Sequence, residues 1–269
     1  MDWLILAAGG IFSGILSGLL GIGGGFIIVS LLVVLGYPPI QAVATSSLVI
    51  VLSSSTGSFY NWRSGYLDLK RVIYIAIPAI VSAQLGVLFA VKIPDYVLLG
   101  IFSIFLIANI FLIQLRKKLV AQNKKSDVFL NPTLSKIATG GIAGFLAGLL
   151  GVGGGAIMVP LQMLLLNEEI KVAIRTSLGV IVAATISSSI NHAIQGNMLF
   201  LVGLTLGIGG MVGSQLGTRV LPKLSDALVS RIFVVFLASM AVLNLWQAWK
   251  SYRLLVTIQD CLLFANWFY

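Results

Sequence analysis

A chain of 269 residues that is 58% hydrophobic and 9% charged cannot build a water-compatible surface, because an ordinary soluble domain carries about 25% charged residues. Its formal net charge is +9, with 17 basic residues against 8 acidic ones. Six of the basic residues fall in one loop, Arg116 to Lys136, so membrane topology explains the excess better than a nucleic-acid partner. The single cysteine, Cys261, and single histidine, His192, exclude an internal disulfide and a Cys/His metal set, and no metal or other cofactor is expected.

In chain order, the opening MDWLILAAGG lacks a basic n-region and a small-residue cleavage site, so no cleaved signal peptide is expected. Apolar segments follow at 3–36, 40–60, 71–91 and 96–115, and a helix needs about 20 apolar residues to cross a bilayer. The first is too long for one crossing, since its 34 residues would measure about 51 Å as a helix. Its middle reads GLLGIGGGFIIV, Gly18 to Val29. Glycine costs about 1 kcal/mol relative to alanine inside a helix, so Gly21 to Gly25 are expected to break the segment in two.

The same stretch returns as GLLGVGGGAIMV, Gly148 to Val159. A shift of 130 residues aligns Gly23, Gly24 and Gly25 with Gly153, Gly154 and Gly155, Ser46 and Ser47 with Thr176 and Ser177, and Asn61 with Asn191. One inserted residue later, Gln84-Leu85-Gly86 meets Gln215-Leu216-Gly217. The chain is therefore read as an all-α polytopic membrane bundle of two homologous repeats, 1–115 and 135–249. A basic linker, 116–134, joins them, and an aromatic tail, 250–269, follows. Five segments per half place 14 of the 17 basic residues on one side, and only Lys92, Lys250 and Arg253 on the other. Four segments divide them less sharply. The positive-inside pattern thus favours ten segments in inverted repeats, with the 116–136 loop cytoplasmic in a cell membrane.

A helix restarting at a break offers free N–H groups and a positive dipole end to an anion. The hydroxyls of Ser46, Ser47, Thr176 and Ser177 and the amides of Asn61 and Asn191 are neutral donors that can replace part of an anion's hydration. Together with Gly23 to Gly25 and Gly153 to Gly155 they form the candidate substrate site. Arg175 and His192 are candidates for anion attraction or coupling, with an interfacial or structural role as the plainer alternative. No nucleophile with a base, carboxylate pair or metal set is legible, so no enzymatic activity is expected.

The paired glycine motifs, the TSSL and RTSL that follow them, the two asparagines, the QLG steps and the basic central loop resemble the sulfite exporter TauE/SafE family, also called the 4-toluene sulfonate uptake permease family. The resemblance covers residues 3–249 and implies a secondary transporter of small, often sulfur-containing anions such as sulfite or sulfonates. The expected partners are the lipid bilayer, the anion and a coupled proton or other ion. The alternative is a membrane scaffold or assembly partner without transport.

Overall fold

The computed structural model describes residues 3–94 and 131–239, with further helical positions between 97 and 111 and between 242 and 246. Most of the linker and the whole tail 250–269 lie outside the described residues. Helix α1 covers Trp3–Leu20, α2 Gly25–Val34, α3 Pro39–Arg63 and α4 Leu69–Ala90. Helix α5 is helical at each described position from 97 to 111. The second half repeats the pattern with α6 Pro132–Leu150, α7 Gly155–Leu165, α8 Ile170–Ile194 and α9 Phe200–Val220. A 3-10 turn at Leu221–Lys223 leads to α10, residues 226–239. No strand occurs among the described residues.

Helices α1, α3, α4, α6, α8 and α9 are long and apolar enough to cross a membrane. Helices α2 and α7 have 10 and 11 residues, about 15 Å at roughly 1.5 Å per residue, and reach only half way. The first long apolar segment does divide where its glycines predicted, but its second piece is a half-helix rather than a full span. The carbonyl of Gly24 meets the Ser13 hydroxyl at 2.8 Å, and Leu31 lies against Gly9. Helix α2 therefore doubles back along α1 toward the end of the bundle where α1 began.

Glycine contacts fix the direction of the long helices. Gly10, Gly14 and Gly18 of α1 abut the backbone of α9 at Leu206, Gly210 and Ser214, a rising register that makes the pair parallel. Gly140, Gly144 and Gly148 of α6 abut α4 at Ile75, Ala79 and Ala83 in the same way. Each half thus lends its first helix to the fourth helix of the other half. Helix α3 also runs parallel to α9, with Leu52 on Gly207 and Gly57 beside Ser214. Helix α8 runs parallel to α4, with Val72 on Gly179 and Ser187 donating to the Ile80 carbonyl at 3.2 Å. Between α3 and α8 the register falls instead: Ser47 pairs with Ser189 at 2.9 Å, whereas Gly57 lies near Leu178. Helices α1, α3 and α9 thus run one way and α4, α6 and α8 the other. Position for position, the second half repeats the first upside down.

One end of the bundle is basic. Arg71 pairs with Glu168 at 3.0 Å, and Lys171 with Asp226 at 3.3 Å. Arg175 lies over the Tyr66 ring at 4.1 Å, Lys136 over Tyr74 at 5.3 Å and Arg219 over Tyr60 at 5.7 Å. The exposed contacts among these stabilise a fold little, and the largely buried Glu168 side chain is the exception, but all of them show which helix ends meet. Asp68 caps α4 here, accepting from the Lys70 and Arg71 amides at 3.0 and 3.3 Å. The helix directions place Lys92 at the other end. Phe26 of α2 stacks on Phe105 of α5, centroids 6.0 Å apart, and meets Phe236 of α10 edge-on at 6.4 Å. The half-helix is therefore covered from outside.

Neighbouring glycines on α6 separate packing from propensity. A methyl at Gly144 would strike the Ala79 backbone, whereas one at Gly141 meets nothing. Gly144→Ala is expected to lower detergent-solubilised stability by about 1–3 kcal/mol through overpacking, and Gly141→Ala to raise it by up to about 1 kcal/mol through helix propensity. Thermal unfolding read by size-exclusion chromatography checks this, and equal shifts would contradict the packing.

Burial pushes the Glu168 carboxyl above the ordinary carboxylate value, in spite of Arg71 beside it. Its folded form therefore holds a proton that the unfolded chain has released, and stability falls as pH rises from 4.5 through the folded value. Glu168→Gln is expected to flatten that part of the stability profile, as melting measured from pH 4 to pH 8 will show.

Candidate functional site

The glycine breaks meet at the centre of the bundle. In both, the chain adopts left-handed backbone that only glycine takes without strain: φ is 67°, 80° and 79° at Gly21, Gly23 and Gly24, and 63°, 77° and 68° at Gly151, Gly153 and Gly154. Gly24 and Gly154 are the residues from which α2 and α7 start, and neither start is capped by a side chain. Space is as restrictive as φ. A Cβ on Gly25 would strike the Gly151 carbonyl and Val152, and one on Gly155 the Gly21 carbonyl and Ile22.

A break leaves helix-end carbonyls without intrahelical partners, and at membrane depth an unpaired carbonyl costs several kcal/mol. The opposite half supplies the partners. The Ser177 hydroxyl donates to the Gly21 carbonyl at 2.8 Å while also meeting Ile174. The Ser46 hydroxyl donates to the Gly151 carbonyl while also meeting Val43 at 2.9 Å. Ile50 and Ile181, both fully buried, lie over Gly23 and Gly153. The centre is therefore a close-packed plug, in which Ser46 and Ser177 tie each break to the other half.

The remaining candidates from the sequence lie elsewhere. Ser47 donates to the Ala44 carbonyl at 2.7 Å and accepts from Ser189 at 2.9 Å, between α3 and α8. Thr176 is buried beside Ser177. Asn61 lies near the basic end of α3, and Asn191 near the opposite end of α8, so the plug separates them. Asn191 is tied into a network, donating to Gln84 at 2.6 Å and accepting from Gln195 at 2.7 Å. Gln84 in turn donates to the Ser187 carbonyl at 2.9 Å and hydroxyl at 2.6 Å. His192 is buried on α8. Arg175 stays at the basic end on Tyr66.

Sequence reasoning missed Ser13 and Ser53. Ser13 holds the Gly24 carbonyl, and Ser53 faces the Gly23 carbonyl at 3.5 Å. Both lie at helical spacing from glycines, Ser13 from Gly9 and Gly10 and Ser53 from Gly57, which is a visible signal, but their partners are brought near by the doubling back of α2.

The chain matches the family model described as sulfite exporter TauE/SafE over residues 6–243. It is similar to the probable membrane transporter protein YunE of Bacillus subtilis (strain 168), 30% identical over 261 residues that span 88% of this chain and 95% of that one. The probable membrane transporter protein MJ0441 of Methanocaldococcus jannaschii is 29% identical over 232 residues, 80% of this chain and 85% of its own. The probable membrane transporter protein YjnA of Bacillus subtilis (strain 168) is 26% identical over 226 residues, 80% and 89% of the two chains. No solved structure is significantly similar.

If the serine ties hold the breaks together, removing either one should destabilise the fold. Ser46→Ala and Ser177→Ala are each expected to cost about 1–3 kcal/mol by leaving a buried carbonyl short of a donor. Melting curves of the two single variants and the double variant check this. Wild-type melting in all three would show that the bonds contribute nothing.

Proposed function

The chain belongs to the sulfite exporter TauE/SafE family of membrane transporters, and from that premise we propose that it is a secondary carrier moving a small oxyanion, such as sulfite or a sulfonate, by alternating access. The observation that carries this reading is the pair of interlocked breaks, in which two oppositely directed halves meet at mid-depth through glycine backbone and two serine hydroxyls. A tie between halves at the pivot lets one half rock against the other while the ends open in turn. The starts of α2 and α7 point positive helix ends into the same region, which favours an anion over a cation.

No nucleotide-binding loop stands in the sequence, so the drive is a gradient. An inside-negative potential assists the outward movement of an anion by about 2.3 kcal/mol per charge per 100 mV. The family model's description names sulfite export, and that description supports sulfite as the first substrate to try. In this reading the protein sits in a cell membrane with its basic end, which carries Arg63, Lys70, Arg71, Lys171, Arg175, Arg219 and Lys223, toward the cytoplasm, and the positive-inside pattern supports that orientation.

Purified protein in proteoliposomes is expected to show saturable uptake of labelled sulfite or methanesulfonate, with counterflow when unlabelled anion is trapped inside. Vesicles that pass no sulfur anion under any imposed potential or pH gradient would favour the scaffold instead.

A further inference from the structure

The hydroxyls at the plug are occupied by carbonyls, so the donors that meet the substrate must lie elsewhere. Ser54, Gly57 and Asn61 share one face of α3, with Ser58 at its shoulder. That face meets α9 at Ser214, whose Oγ stands 2.7 Å from where a Gly57 Cβ would lie, and Ser214 in turn packs on Gly18 of α1, next to Ser17. Asn61 is 1% exposed, and Ser17, Ser54 and Ser214 are 0% exposed. The hydroxyls of Ser17, Ser54, Ser58 and Ser214 and the Asn61 amide nitrogen have no hydrogen-bond partner among the described residues. One buried polar atom without a partner can be tolerated, but five along one seam at membrane depth require something to bond.

The surroundings select its charge. Helices α1, α3, α8 and α9 contain no acidic residue. At the basic end of the seam, Tyr66 donates its backbone amide to the Asn61 carbonyl at 2.9 Å and carries the Arg175 guanidinium on its ring. Arg219, next to Thr218 on α9, lies over Tyr60. Two cations near the end of a low-dielectric seam raise the local concentration of anions and repel cations. At its inner end the same face of α3 reaches the plug through Ser53, opposite the Gly23 carbonyl, and Ile50, on Gly23 itself.

The inverted counterpart of this seam carries different side chains. Ser17, Ser54 and Ser214 correspond to Ala147, Ala184 and Ala83. Asn191, the counterpart of Asn61, is already bonded to Gln84 and Gln195, and Ser188, the counterpart of Ser58, donates to the Thr185 carbonyl at 3.2 Å. The unpaired serine hydroxyls and the unpaired Asn61 amide thus have no like counterparts across the plug, where the unpartnered buried atoms among the described residues are instead the His192 ring nitrogens and the Gln195 Oε1.

We propose that Ser17, Ser54, Ser58, Asn61 and Ser214 form an asymmetric binding site for a small oxyanion, between α1, α3 and α9 on the basic-end side of the plug, in place of a site on the two-fold centre. The site rests on the carrier reading above and names the residues that hold its substrate.

The test uses full-length protein with Ser54→Ala and Ser214→Ala, singly and together, and Ser188→Ala on the mirrored helix as control. Sulfite and methanesulfonate are the probes. In wild type, the probes are expected to raise the melting temperature in detergent and to give saturable flux in proteoliposomes. Each seam variant should melt no lower than wild type without anion, because it removes a buried unpaired hydroxyl. Each should raise the half-saturating anion concentration about tenfold, since a hydrogen bond to a charged group is lost, and Ser188→Ala should leave it unchanged. Ser54→Cys on a Cys261→Ala background is expected to react with a negatively charged methanethiosulfonate from the basic-end side, and the probe anion should slow that reaction.

Wild-type flux with unchanged half-saturation in the double variant overturns the site and leaves the carrier standing. Labelling of the cysteine that anion does not slow, together with unchanged half-saturation, shows a seam that holds water alone and overturns the site as well. Wild-type protein with neither flux nor a melting response overturns the carrier reading, and the site with it.

Discussion

A backbone carbonyl at the depth of a membrane must find a donor, and the centre of this protein is organised by where Gly21 and Gly151 find theirs. Neither carbonyl is satisfied within its own half. Ser177 reaches Gly21 and Ser46 reaches Gly151, so each half completes the other's broken helix. A chain carrying one half alone would leave one break unbonded in a medium with no water to substitute. The duplication is therefore a condition of tolerating the breaks, and the breaks let α2 and α7 return as half-helices.

The exchange of helices follows from the same economy of space. Gly10, Gly14 and Gly18 let the α1 backbone rest on α9, and Gly140, Gly144 and Gly148 let α6 rest on α4. Lipid supplies no hydrophobic force to drive helices together, so association depends on close packing, which small residues permit. Two long parallel seams, each joining a first helix to the fourth helix of the other half, bind the halves along their length. The serine ties bind them at the middle. The halves are therefore joined at the middle as well as along both seams.

Symmetry ends at the polar side chains. The plug is nearly two-fold, down to Ile50 and Ile181 lying over both Gly23 and Gly153. The flanking seams differ, with unpaired serines on one side and alanines beside the Asn191–Gln84–Gln195 amide network on the other. A carrier built from two equal halves would treat its two faces alike. Unequal side chains on an equal backbone are a direct way to give the faces different affinities, since only differential interaction shifts a two-state equilibrium.

Much of this was legible in the sequence because the relevant forces are local or compositional. The apolar runs, the 130-residue repeat, the break at Gly21 to Gly25 and the bias of Lys and Arg toward one end all follow from helix length, glycine propensity and the cost of placing charge in lipid. Residue type alone could not say what the hydroxyls do. Ser46 and Ser54 lie two turns apart on one helix, and both read as neutral donors. One is consumed by the Gly151 carbonyl, 105 positions away, and the other meets no acceptor among the described residues. Asn61 and Asn191 align in the sequence yet stand on opposite sides of the plug, because the repeats run in opposite directions. By itself the sequence determined a duplicated, glycine-broken membrane bundle with a basic face, since those features depend on spacing along one chain. Only the tertiary structure decided which donors are spent on backbone and which remain free, because a hydrogen bond is settled by what the opposite half brings within 3 Å or so.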